Sequence, residues 1–270
     1  MTKVQLFLQA GVKLVFKPRR PVPFHSQQLV EKELQRLQNL DVIEQIDFSN
    51  WAAPIVAVRK AQCDADGDPV VRICADNSTG LNAVLEAIKF PIPTPDEIFA
   101  KLGGSQYNSL LDLSDAYLQL EVEEDSQKLL TINTHKGLFK YKRLPSGVKS
   151  APGAFQKVID NMIGDLPGPE SLLDDVIVFG KTRAEHDRNL NNTLQRIQEF
   201  GFRLKLEKCK FCVARVKYLD HIIDRDVLRT DPEKIAAITQ MPAPKNVRVV
   251  FFLGCRKLLC KVHQGNALPA

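Results

Sequence analysis

The sequence predicts a globular fold of the α+β class, in which short strands and amphipathic helices are interspersed. Hydrophobic residues make up 44% of the 270 residues and charged residues 26%, which is typical of globular domains and excludes a disordered or fibrous chain. No apolar run approaches the ~20 residues of a membrane span, and the first ten residues do not form a secretory signal. We therefore expect a soluble intracellular protein, cytoplasmic or nuclear, that does not bind membranes.

Local signals predict the elements of the N-terminal half in order. A proline-rich extended strap over 15–24 precedes a helix over 29–37, where leucine and valine recur at helical spacing. Two strand-like runs, 53–60 and 69–76, are expected to form a hairpin. A capping box that begins at Thr94 starts the next helix.

The C-terminal half alternates strands and helices in the same way. The predicted elements are a strand over 109–114, a helix over 150–164, a strand over 172–179, a helix over 183–200 with Leu190, Leu194 and Ile197 on its buried face, a strand or hairpin over 217–224, and a helix that opens at Asp231 and ends before Pro242.

Two of these apolar strands carry acids, which is unusual because an unpaired buried carboxylate costs several kcal/mol. Asp112 lies in the first strand, and Asp174 and Asp175 lie in the second. Successive strand residues point to opposite faces, so Asp174 and Asp175 can share a site only near the tip of a tight turn. If the strands are neighbours, the three carboxylates converge on a site for divalent cations. The alternative, that these acids cap turns or pair with Lys and Arg at a sheet edge, stays open.

The charge is distributed unevenly along the chain. Residues 1–25 carry five basic groups and no acid, residues 241–270 do the same, and the formal net charge of +5 therefore leaves −5 on the middle. This pattern suits a protein that binds a polyanion by its backbone. The acidic middle would then contain a cluster of carboxylates that binds cations. The alternative is that these cations only solvate the two ends.

The six cysteines are expected to be free thiols, and the single pair Cys209 and Cys212 does not predict a zinc site.

Three segments resemble successive motifs of reverse transcriptases, most closely those of gypsy-type LTR retrotransposon polyproteins. They are LDLSDAYLQL at 111–120, RLPSGVKSAP at 143–152 and LLDDVIV at 172–178. Shorter matches lie at 51–56, 71–76, 131–135, 204–209 and 231–235, so that the resemblance covers roughly 13–250. Several motifs in the right order are a stronger signal than any one of them alone.

The resemblance implies a right-hand polymerase fold with an antiparallel palm sheet backed by helices. Its implied division is a basic N-terminal extension over 1–25, fingers and palm over 26–225, and a truncated, divergent start of the thumb over 226–270. The protease, ribonuclease H and integrase segments of the polyprotein are expected to lie outside this chain.

The resemblance also implies roles for individual residues. The catalytic and metal-binding positions are Asp112, Asp174 and Asp175, with two Mg²⁺ ions, or Mn²⁺, as cofactors. The nucleotide-binding positions are Lys60, Arg72, Asp115, Tyr117, Ser146 and Gly147. The primer-binding positions are Tyr218, Leu219, Asp220 and His221. Tyr117 is expected under the sugar of the incoming deoxynucleoside triphosphate, where it excludes a 2′-hydroxyl. Each role has a structural alternative, such as a core aromatic at Tyr117 or an ordinary strand cation at Lys60.

The implied function is an RNA-directed DNA polymerase that extends a primer on an RNA or DNA template. The sequence departs from the family at Leu172, where Tyr is usual, at Ser146, and at Asp220, where Gly is usual. A negative charge at Asp220 is expected to weaken primer holding about tenfold to a hundredfold. Two other functions stay open: a degenerate copy that folds and at most binds nucleic acid, and a metal-dependent phosphohydrolase.

Overall fold

The computed structural model describes residues 3–12, 15–63, 67–219, 221–223 and 228–230, and the helix expected from Asp231 lies outside them. The helices are α1 (Phe24–Asn39), α2 (Leu81–Val84), α3 (Pro95–Leu102), α4 (Glu124–Gln127), α5 (Ala151–Ile163) and α6 (Arg183–Glu199). The strands are β1 (Ile43–Ile46), β2 (Ala53–Cys63), β3 (Pro69–Ala75), β4 (Tyr107–Asp112), β5 (Thr131–Thr134), β6 (Gly137–Tyr141), β7 (Pro169–Leu172), β8 (Asp175–Gly180), β9 (Lys210–Val213), β10 (Val216–Tyr218), β11 (His221–Ile223) and β12 (Leu228–Thr230). None of these helices combines the length and the apolar composition that crossing a membrane requires.

A five-stranded sheet unites the predicted hairpin with strands from the middle of the chain, in the order β1-β6-β5-β2-β3. β2 and β3 pair antiparallel, which confirms the predicted hairpin, while β2 pairs parallel with β5. α1 packs on β3 and buries Val30, Leu34 and Leu37, as the helical spacing predicts. The segment that precedes the strap also packs on this core, where Val4 and Leu6 are buried.

A second sheet, antiparallel throughout, has the order β7-β8-β4-β9. α5 packs on β7 and α6 packs on β8, so that helices cover the sheet as expected. Val176 and Val178 of β8 belong to the main core, whereas Ile177 packs with α3 and the β10-β11 region in a separate cluster. Burial on both faces explains why β8 is a continuous apolar run.

The buried face of α6 is more polar than the sequence suggested. Leu190 and Leu194 are only partly buried. The fully buried positions are His186, Asn189, Thr193 and Ile197. The His186 ring explains how a polar face is tolerated, because its Nε2 lies 2.8 Å from Ser109 Oγ and its Nδ1 lies 3.0 Å from Asp187 Oδ1. Hydrogen bonds to β4 therefore replace apolar packing here.

Candidate active site

Asp112 and Asp175 face each other across two neighbouring strands. Asp112 ends β4, Asp175 begins β8, and the two are register partners in the antiparallel pair. Directly opposed residues project from the same face of a sheet with Cβ atoms about 4.5–5.5 Å apart. Two residues that are 63 positions apart in the sequence thus belong to one site.

Asp174 lies in a two-residue turn between β7 and β8, as the sequence argument required. Leu173, the other residue of this turn, has a φ of +56°, a left-handed conformation that is unfavourable for leucine. The first strand of the hairpin, β7, was not predicted, because its Pro169 and Glu170 do not fit an apolar strand pattern. The turn presents Asp174 to solvent and leaves Asp175 half-buried.

The electrostatics at this turn favour a bound cation. Burial raises the pKa of Asp175, and the neighbouring carboxylates of Asp174 and Asp112 raise this pKa further, while the Lys208 ammonium lowers it. Lys208 Nζ lies 3.3 Å from Asp112 Oδ2. A divalent cation bound between such carboxylates would offset their mutual repulsion. It would also lower their pKa values, because it favours the ionised form.

The three aspartates do not form a tight ligand cluster. Within the described part of the chain, only His186, Asp187 and Cys212 bring three ligand atoms within 4.8 Å of one another. Repulsion among the aspartates and the attraction of Asp112 to Lys208 account for their wider spacing. The His186 cluster needs no ion, because Arg183 Nε already binds both oxygens of Asp187 at 2.9 and 3.0 Å.

A cleft of about 1100 Å³ opens beside the acids and collects most of the predicted side chains. The predicted residues that line it are Lys60, Arg72, Asp112, Asp115, Tyr117, Ser146 and Asp174. Lys60 and Arg72 are exposed on β2 and β3, so their cationic ends extend from the five-stranded sheet toward the acids of the other sheet.

Tyr117 contributes both to the core and to the cleft. Its ring centroid lies 4.9 Å from that of Phe155 on α5, at an interplanar angle of 49°. Burial raises the pKa of the Tyr117 hydroxyl, and the Asp174 carboxylate raises it further. The ring thus packs on Phe155 and at the same time lines the cleft.

The loop that carries Ser146 and Gly147 is anchored by a residue that the sequence argument missed. Asn82 Nδ2 donates to the Gly147 carbonyl at 2.8 Å, and the Lys149 backbone N–H donates to Asn82 Oδ1 at the same distance. Gly147 has a φ of +88°, which favours glycine at this turn. An asparagine in a polar stretch gave no sequence signal of this role.

Two cations of the cleft were also missed. Arg36 Nη1 lies 3.9 Å from Asp115 Oδ2, and its other guanidinium nitrogens donate to Glu33, which raises the pKa of Arg36. Asp115 has a φ of +45° and so turns its carboxylate toward α1. Lys208 lies in a segment that matched the family, and only its ion pair with Asp112 identifies its place.

The predicted primer hairpin is formed by β10 and β11. Tyr218 is 2% exposed, and its hydroxyl donates to the Asp175 carbonyl at 3.1 Å, so its side chain belongs to the core. Leu219 has a φ of +47°, and its carbonyl lies 2.8 Å from His221 Nδ1. Asp220 lies outside the described residues. The Tyr218 side chain is therefore not available to a ligand.

Comparison with known proteins identifies the family of this chain. The family described as "Reverse transcriptase (RNA-dependent DNA polymerase)" matches residues 66–223, more than half of the chain. An uncharacterized protein of Caenorhabditis elegans is 43% identical over 94% of this chain and 20% of its own length. The retrovirus-related Pol polyprotein from transposon 297 of Drosophila melanogaster is 32% identical over 83% of this chain and 21% of its own length. The chain thus spans about a fifth of these relatives.

Solved structures share the fold. A foamy viral protease-reverse transcriptase in complex with double-stranded DNA superposes with a TM-score of 0.78 and 19% identity, covering 89% of this chain and 41% of that one. The same kind of protein in complex with an RNA/DNA hybrid gives a TM-score of 0.77 and 20% identity over 90% of this chain and 32% of that one. These similarities confirm the polymerase fold.

Proposed function

Because this chain belongs to the reverse transcriptase family, the RNA-dependent DNA polymerases, we propose that it transfers nucleotides from deoxynucleoside triphosphates to a primer 3′-hydroxyl on an RNA or DNA template. The observation that carries the proposal is the register pair of Asp112 and Asp175 beside the turn with Asp174, at a cleft lined by the cations of β2 and β3. A phosphohydrolase would not account for Tyr117 and the anchored loop at Ser146.

The donor set fits divalent cations. Asp112, Asp174 and Asp175 offer only carboxylate oxygens, the ligands that Mg²⁺ and Mn²⁺ prefer, and Asp175 lies half-buried opposite Asp112 and next to Asp174, so that burial and these carboxylates raise its pKa. We propose that these three residues hold two Mg²⁺ ions, or Mn²⁺. When bound, such ions lower the pKa of the attacking 3′-hydroxyl and stabilise the charge that develops on the leaving pyrophosphate.

The remaining residues of the cleft bind and orient the nucleotide. Arg72 offers a planar fork that grips phosphate oxygens bidentately, and Lys60 adds a second cation on the neighbouring strand. In this proposal the Tyr117 ring, which packs on Phe155, excludes a 2′-hydroxyl. Lys208, whose Nζ lies 3.3 Å from Asp112 Oδ2, orients the Asp112 carboxylate.

The proposed ligands extend beyond the nucleotide. Solved neighbours were bound to double-stranded DNA or to an RNA/DNA hybrid, and we propose that this chain binds a primer–template of the same kind. In this proposal the segment 218–221 holds the primer end, and the fingers and palm extend over 26–225. The relatives of which this chain spans a fifth include Pol polyproteins, so we propose that the chain works within such a polyprotein.

Primer extension tests the proposal. The chain is incubated with Mg²⁺, deoxynucleotides and a labelled primer on RNA and on DNA templates, beside Asp175→Asn and a control variant, Asp125→Asn. The Asp125 side chain is 94% exposed and, within the described part of the chain, forms an ion pair with Lys128. Extension that Asp175→Asn abolishes and Asp125→Asn preserves supports the proposal. Binding without turnover identifies a degenerate copy, and phosphoester hydrolysis without extension identifies a phosphohydrolase.

A further inference from the structure

The turn that carries Asp174 is held from behind by a buried glutamine of α5. We propose that Gln156 is a positioning residue, which fixes the backbone that carries Asp174 at the cleft and Asp175 opposite Asp112. This assignment deepens the proposed function and rests on it. The evidence is the geometry of the Gln156 side-chain amide, in which both the carbonyl oxygen and the nitrogen form hydrogen bonds.

The carbonyl end of Gln156 binds the turn. Gln156 is completely buried, and its Oε1 accepts a hydrogen bond of 2.7 Å from the backbone N–H of Leu173. Leu173 directly precedes Asp174, so this bond fixes the Leu172–Leu173 peptide unit, one residue before the first carboxylate of the pair. A buried backbone N–H without an acceptor is rare, and Gln156 supplies the acceptor here.

The amide nitrogen of Gln156 binds the strand before the turn and its own helix. Nε2 lies 3.2 Å from Ser171 Oγ, 3.3 Å from the Ser171 carbonyl and 2.7 Å from Asp160 Oδ1. These acceptors require the nitrogen on this side of the amide, which leaves the oxygen facing Leu173. The hydrogen bonds of Nε2 thus fix the orientation of the Gln156 amide, and Oε1 binds the turn.

The conformation of Leu173 is the reason that the turn needs support. Its φ of +56° is unfavourable for a leucine, and such a conformation persists only where the surrounding structure holds it. Without the bond to Gln156, Leu173 can relax toward a common conformation, and the directions of Asp174 and Asp175 change with it. Phe155, the preceding residue of α5, supports Tyr117, so this turn of the helix backs two parts of the cleft.

A metal titration tests the assignment in the full chain. Mn²⁺ alone is titrated by electron paramagnetic resonance into the parent, Gln156→Met, Ser171→Ala and Asp175→Asn. Gln156→Met keeps the length of the side chain and removes the acceptor of Leu173. Ser171→Ala is the matched control, because it removes one partner of Nε2 and leaves the bond to Leu173. We expect Gln156→Met to lower the affinity of the Asp175-dependent Mn²⁺ site about fivefold or more, and Ser171→Ala to change this affinity less than twofold.

In primer extension we expect a lower kcat in Gln156→Met with an unchanged KM for the nucleotide.

Several outcomes overturn the assignment separately from the proposed function. Equal Mn²⁺ affinity of the parent and Asp175→Asn overturns the proposed metal site, and the positioning role with it. Equal affinity of the parent and Gln156→Met, in a chain whose site depends on Asp175, overturns only the positioning role. If Gln156→Met fails to fold, amide hydrogen exchange of the parent decides. The Leu173 N–H is expected to exchange at least a hundredfold more slowly than in an unstructured peptide, and fast exchange contradicts the assignment.

Discussion

The fold disfavours the charged form of Asp175, whereas the proposed metal site requires it. Burial, Asp174 and Asp112 raise its folded-state pKa above the unfolded value. A group of this kind favours the folded state fully below its unfolded pKa, and that contribution is lost as the pH rises through the folded pKa. Asp175 therefore works against stability at neutral pH when no divalent cation is bound.

The expected result of Asp175→Asn is a higher melting temperature at pH 7 without divalent ions, together with loss of primer extension. The gain is expected to be smaller at pH 4, because acid favours the uncharged, protonated form of Asp175, and added Mg²⁺ is expected to stabilise the parent and not the variant. Thermal unfolding at the two pH values measures this. A variant that is less stable than the parent at pH 7 would contradict the electrostatic argument.

Tyr117 tests the steric part of the site. We expect Tyr117→Ala to incorporate ribonucleotides that the parent rejects, because the ring that would meet the 2′-hydroxyl is removed. Tyr117→Phe is the matched control, since it keeps the ring against Phe155 and is expected to keep the discrimination. The measurement is the ratio of kcat/KM for deoxynucleotides and ribonucleotides. An unchanged ratio in Tyr117→Ala would make Tyr117 a core aromatic only.

At the scale of the elements, the contact between β8 and α6 decides how the catalytic strand is supported. Gly180 ends β8, and a Cβ atom there would lie 2.5 Å from the backbone nitrogen of His186 and 2.7 Å from its Cα. Backbone atoms cannot move aside as the end of a flexible side chain can. The close approach of strand and helix therefore requires glycine at this position.

Gly180→Ala is accordingly expected to destabilise the fold by about 1–3 kcal/mol, the usual cost of overpacking a core. Gly103→Ala serves as the control, since its Cβ would meet only the Ala100 carbonyl at an ordinary 3.5 Å. Urea denaturation of both variants measures the difference. Equal midpoints for the two would show that α6 can shift away from β8 at little cost.

At the scale of the whole molecule, the salt dependence of nucleic-acid binding can show whether the basic N-terminal residues contact the phosphate backbone. The strap over 15–24 is anchored on the five-stranded sheet, where the Lys17 N–H donates to the Ala52 carbonyl. If its cations hold a nucleic-acid backbone, each phosphate contact contributes about 0.9 to the slope of log affinity against log salt. Lys3, by contrast, already faces Glu121 at 3.8 Å.

We expect the double variant Lys17→Gln with Arg19→Gln to lower this slope for an RNA/DNA hybrid by about two. Lys3→Gln is expected to lower it less, because part of its charge is already neutralised by Glu121. Fluorescence anisotropy over a range of salt concentrations provides the slopes. A slope that the double variant leaves unchanged would mean that these cations only solvate the strap.

Local signals in the sequence were sufficient for most elements. The spacing in α1, the capping box of α3 and the alternation of β2 and β3 depend on residues only a few positions apart, and the structure has all three elements. The acids in apolar strands also identified Asp112, Asp174 and Asp175 as candidates, because a charge in a buried run is conspicuous without knowledge of the fold. The ordered motifs identified the family, which the comparisons confirm.

Only the tertiary structure decided which residues support these candidates. The register of β4 on β8 joins Asp112 to Asp175, and contacts over long sequence separations bring Lys208 to Asp112 and Gln156 to Leu173. Likewise, the polar face of α6 is buried because Ser109 of β4 offers a partner to His186. Hydrogen bonds and ion pairs of this kind depend on distance in space and on burial, which residue order and periodicity do not contain. The sequence alone therefore determined the elements, the family and the acids, and the packing determined how the acids are held.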